Sequence, residues 1–145
     1  MVDAKRFALL VTYLKVAAAS LVVVSALGIA LIEVAPLLTL EQLIFMDWYG
    51  QTALPPEARK PFRLAMLLFD WLSILSGITL YYVIRHGIER RERWAYHCYL
   101  WLGLFWPAGA IGIALYTTAY WYLLSAGAMA VLFAPPVFLL RRHLT

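Results

Sequence analysis

Residues 62–84 read FRLAMLLFDWLSILSGITLYYVI, an apolar run of bilayer-spanning length that carries one basic residue, Arg63, at its start and one acid, Asp70, inside it. A helix needs about 20 apolar residues to cross the hydrocarbon. Barrel strands instead alternate apolar and polar over about 10 residues, whereas Met66-Leu67-Leu68-Phe69 here and Val22-Val23-Val24 earlier are continuous. The stretch is therefore a transmembrane helix, because in lipid every backbone group must be bonded within the segment.

Similar runs lie on both sides of it, at about 7–35, 94–116 and 121–140. The expected fold is all-α: a polytopic membrane protein of four transmembrane helices forming one domain over residues 1–145. Composition agrees, since 64% of the chain is hydrophobic and 14% charged, with a mean hydropathy of +0.78. Soluble domains carry roughly a quarter charged residues, and 145 residues cannot bury this much apolar surface in a water-soluble core. Lys5 and Arg6 before an apolar stretch, with Ala17-Ala18-Ala19 after it, imitate a signal peptide. Lys15 interrupts the run and the apolar segment continues to Ala35, so an uncleaved signal anchor is expected.

Basic residues set the orientation. With the N-terminus inside, nine are cytoplasmic: Lys5, Arg6, Lys15, Arg85, Arg90, Arg91, Arg93, Arg141 and Arg142. Three, Arg59, Lys60 and Arg63, are outside. Both termini are therefore expected in the cytoplasm, the membrane being a bacterial inner membrane. The net charge of +4 sits at the ends of the apolar runs, which assigns it to headgroups and topology and argues against nucleic acid as a partner. Tyr81, Tyr82, Trp94 and Tyr96 at one end, and Tyr116, Tyr120, Trp121 and Tyr122 at the other, fit interfacial belts.

The long connection from Pro36 to Pro61 is expected outside. Thr39 and Gln42 match a capping box, which predicts a short helix to about Tyr49, with Leu43, Ile44, Phe45 and Trp48 buried against the bundle or a partner. Pro55, Pro56 and Pro61 close this loop. Pro107 is expected to kink the third span, and Pro135-Pro136 to disturb the fourth.

Asp70 is the leading candidate for chemistry. An ionisable group about 10 Å inside a span costs several kcal/mol unless paired, hydrated or protonated, and Arg63, Met66, Ser73 and Gly77 share its face at threes and fours. It could relay protons, bind a ligand in an outward-opening cavity, or be a structural carboxylate bonded to a hydroxyl or indole. Glu33, near the outer end of the first span, could approach it and share a proton. His86 and His97 flank the charged turn Arg85–Arg93 and are the candidates for ligating a haem or a chlorophyll-type pigment. Cys98 is the single cysteine, so no multi-cysteine metal site can form within one chain. The arginines of the turn are candidates for anionic headgroups.

Four helices, a long first loop and a turn ending Glu92-Arg93-Trp94-Ala95-Tyr96 resemble small uncharacterised bacterial membrane proteins of the DoxX-like kind. That resemblance implies the four-helix layout and carries over no catalytic residue. With no nucleotide loop, triad or ligand cluster in the sequence, the expected function is a non-enzymatic membrane subunit or accessory protein. It would contact lipid, pigment or quinone and pack against a membrane-protein partner or a second copy. The alternative is a carrier or enzyme for a hydrophobic small molecule, using Asp70.

Overall fold

Helix formation over most of the chain follows from unbroken apolar sequence. The computed structural model describes residues 2–34, 56–117 and 120–144. Those residues are all helical apart from one turn. They form α1 (Val2–Val34), α2 (Pro56–Val83), α3 (Arg93–Leu100), α4 (Trp106–Thr117) and α5 (Tyr120–Leu144). Two π-helical segments continue the rods: Ile84–Ile88 extends α2, and Trp101–Phe105 joins α3 to α4. There are thus four helical rods among the described residues. Three contain segments long and apolar enough to cross a membrane, Ala4–Leu31, Lys60–Ile88 and Arg93–Tyr116. In α5 the apolar stretch is shorter, Ala126–Arg141. The expected loop helix from Thr39 to Tyr49 lies outside the described residues.

The second rod starts earlier than the sequence suggests. Pro56 opens α2 and Pro61 lies within it, where a loop up to Pro61 was expected. A proline costs nothing at the first helical position, because that amide has no intrahelical acceptor. Pro61 forfeits a single bond close to the helix start.

Pro107 does not end the third rod. The π-helical residues Trp101–Phe105 immediately precede it, so the register widens where proline withholds the amide that the Gly103 carbonyl would otherwise accept. In α5 the helix runs through Pro135 and Pro136. There the amide missing at Pro136 would have bonded the Leu132 carbonyl, four residues back. The Tyr13 hydroxyl of α1 donates to that carbonyl at 3.0 Å, and the buried Tyr99 hydroxyl of α3 donates to the next one, Phe133, at 3.3 Å. Two phenols thus meet the backbone of α5 just before its prolines.

The turn after Ile88 is closed by backbone. Glu92 donates its amide to the Gly87 carbonyl (3.0 Å) and Arg91 to the Ile88 carbonyl (2.9 Å), the paired bonds of a Schellman ending. Such an ending needs a left-handed residue, and Arg91 takes that place with φ 59°. Gly87 lets α3 approach, because a Cβ there would overlap Ala95 and stand 3.0 Å from the Trp94 ring.

Phe7 near the start of α1, Ile88 and Ala95 on either side of the turn, and Leu140 near the end of α5 belong to one buried cluster. The two chain ends and the turn therefore share one end of the bundle. Within it, α1 packs chiefly on α2, and α4 on α5. Lys15, expected to reach toward the cytoplasmic surface, pairs with Glu89 of the turn at 2.5 Å.

Candidate functional site

The seam between α1 and α2 places Asp70. The two helices come close at Gly77, where a Cβ would stand 2.6 Å from Val22 Cγ2 and 2.9 Å from the Ala18 carbonyl oxygen. Two turns earlier along α2, the Asp70 carboxylate lies over Gly28, where an added Cβ would be 3.1 Å from Oδ2 and 3.4 Å from Oδ1. Pairing 22 with 77 and 28 with 70 is an antiparallel register that sets Ser25 level with Ser73. Asp70, Ser25 and Ser73 are all buried. Small residues are what allow such an approach in a membrane, where close van der Waals packing replaces the hydrophobic drive between helices.

The hydroxyl of Ser73 donates to the Phe69 carbonyl of its own helix at 2.9 Å, so that proton is not offered to the carboxylate. Arg63, two turns before Asp70, is exposed. Glu33 belongs to the last turn of α1, five residues beyond Gly28, and its side chain is outside the described residues. The structure thus brings Asp70, Ser73 and Ser25 into one seam. The first two stood out in the sequence and Ser25 did not.

His86 is half-buried and stacks on Tyr82, ring centroids 4.3 Å apart. His97 is exposed and meets Tyr96 edge-on at 5.6 Å. Among the described residues no three His, Cys, Asp or Glu side chains stand together as metal ligands.

A cavity of about 30 Å³ lies among all four rods, lined by Leu21, Ser76, Leu80, Gly103, Pro107 and Phe133, among others. It holds about one water, and Asp70 is not part of its wall. Gly103 and Pro107, one at the centre of the widened helical register and one just after it, form one side of the cavity. Sequence reading missed Gly28, Tyr13 and Tyr99. A signal for a donor such as Tyr13 was available, since a Pro-Pro pair in a helix leaves two carbonyls four residues earlier in need of partners.

No protein-family model, curated protein or solved structure matches the chain.

Proposed function

We propose that this chain is a non-enzymatic integral membrane subunit or accessory protein. It would cross a bacterial inner membrane four times with both termini cytoplasmic and pack against a membrane-protein partner or a second copy, in the DoxX-like layout. The observation that carries this reading is the division of α2 into two faces. Asp70, Ser73 and Gly77 are used against α1. On the outer side Leu64, Leu68, Trp71, Leu75, Ile78 and Tyr82 are all more than half exposed.

These six recur at alternating steps of four and three, the spacing of knobs that seat in a facing helix at a shallow left-handed crossing. Lipid can coat such a stripe, and a second helix crossing at a shallow left-handed angle can follow it, since that crossing takes up the drift of about 20° per heptad between a 3.5-residue repeat and a straight helix. Asp70 and Ser73, by contrast, are buried in the seam against α1. Ligand pockets are typically about 300–1,000 Å³, and the four-rod cavity of about 30 Å³ is far below that.

The test is extraction of the chain from its native membrane in a mild detergent, with photo-crosslinking residues placed at Trp71, Leu75 or Ile78. Crosslinks to a stoichiometric membrane protein or to a second copy are expected from these positions, and none from Ser73. A monodisperse monomer that retains one small molecule, and releases it in Asp70→Asn, would replace this reading with that of a carrier or enzyme for a hydrophobic ligand.

A further inference from the structure

We propose that the turn between α2 and α3 is a headgroup site for an anionic phospholipid, read by Arg85, Arg90, Arg91 and Arg93. Both acids of the turn are engaged elsewhere: Glu89 holds Lys15 of α1, and Glu92 accepts the Trp94 indole N–H. Arg85, Arg90 and Arg93 are exposed and have no acidic partner among the described residues. One short turn therefore presents a block of positive charge that no acid among the described residues neutralises.

Arg91 is the second, independent observation. It occupies the left-handed position of the Schellman ending, φ 59°, which glycine fills without steric cost. A side chain held where the backbone disfavours one points to use of that side chain. Its guanidinium lies over the Phe7 ring, 4.8 Å from the centroid. A guanidinium carries planar, paired N–H donors that match the two oxygens a phosphodiester offers.

Position selects a lipid over a soluble phosphate. The turn caps the bundle end where two of the membrane-length segments, Lys60–Ile88 and Arg93–Tyr116, meet, and the exposed aromatics Tyr82 and Trp94 flank it, as interfacial residues do at the level of lipid phosphates. The site needs no partner subunit, so it stands or falls separately from the proposed assembly.

The full-length chain in a neutral detergent, offered equal amounts of phosphatidylglycerol and phosphatidylcholine, is read by native mass spectrometry. Retention of phosphatidylglycerol over phosphatidylcholine by about tenfold or more is expected from several guanidinium contacts. The triple variant R85Q/R90Q/R93Q should bring the two lipids to near parity. Arg91→Gly, which suits the backbone of the turn, should lower phosphatidylglycerol occupancy several-fold while the protein stays folded by circular dichroism. Equal retention of the two lipids by the parent chain would overturn the proposal, as would an unchanged preference in the triple variant. So would inorganic phosphate alone displacing phosphatidylglycerol, since the site would then belong to a free anion.

Discussion

Asp70 sits buried in the α1–α2 seam with its carboxylate over Gly28, and this surrounding decides how it should respond to substitution. Asparagine keeps the shape and most of the hydrogen-bonding capacity, so Asp70→Asn should change stability by less than about 1 kcal/mol. Leucine adds branched bulk against a glycine that is already in contact, and overpacking of this kind costs roughly 1–3 kcal/mol. Unfolding of the two variants in mixed detergent micelles checks the order. If both stay folded and both lose partner binding or activity, the proton of Asp70 matters rather than its shape. Arg91 shows the opposite balance at the same scale. Left-handed backbone costs a non-glycine residue about 1–2 kcal/mol, of which a cation–π contact with Phe7 returns about 0.5–1 kcal/mol.

Among the helices, α5 runs through two adjacent prolines, and α1 supplies a donor for one of the two carbonyls that they leave without an amide. Pro136 withholds an amide from the Leu132 carbonyl, and Tyr13 donates there instead. The two should therefore be coupled. Tyr13→Phe alone is expected to cost about 1 kcal/mol, the usual worth of one hydrogen bond. In a Pro136→Ala background the new alanine would offer its own amide to Leu132, and the same change at Tyr13 should cost close to nothing. A double-mutant cycle read by thermal unfolding measures this coupling; additive effects would mean that Tyr13 contributes only through packing. Pro107 illustrates a different solution within one rod, in which the helix widens to a π register just before it and continues. Prolines are visible in any sequence, but whether a chain kinks, widens or recruits a donor depends on what stands beside it.

For the molecule as a whole, the end of the bundle that gathers Phe7, Ile88, Ala95 and Leu140 also holds most of the basic residues: Lys5, Arg6, Lys15 and the arginines of the turn. With charge and packing at the same end, the positive-inside bias and the fold favour one topology. Reporter fusions after Thr145 and within the Gln51–Leu54 stretch are expected to report opposite compartments, the first cytoplasmic. The same compartment for both would reject four crossings and reduce the membrane-spanning set to the three longer rods.

That the described chain is helical, with three rods long and apolar enough for a membrane, was legible from the order of residues alone, because length and hydropathy are sums over neighbours and need no partner. Asp70 was legible as unusual for the same reason, since a charge inside an apolar run is visible in one dimension. What Asp70 faces was not. The pairing of 28 with 70 and of 22 with 77 is set by the register between two helices that sequence periodicity leaves free to slide and rotate, and glycine fixes it by allowing contacts that any Cβ would push apart. The donors for the carbonyls of α5 likewise come from Tyr13 and Tyr99, far away along the chain. The left-handed place of Arg91 depends on two backbone bonds that close the turn, and nothing in the charge pattern of residues 85–93 distinguishes that arginine from its neighbours.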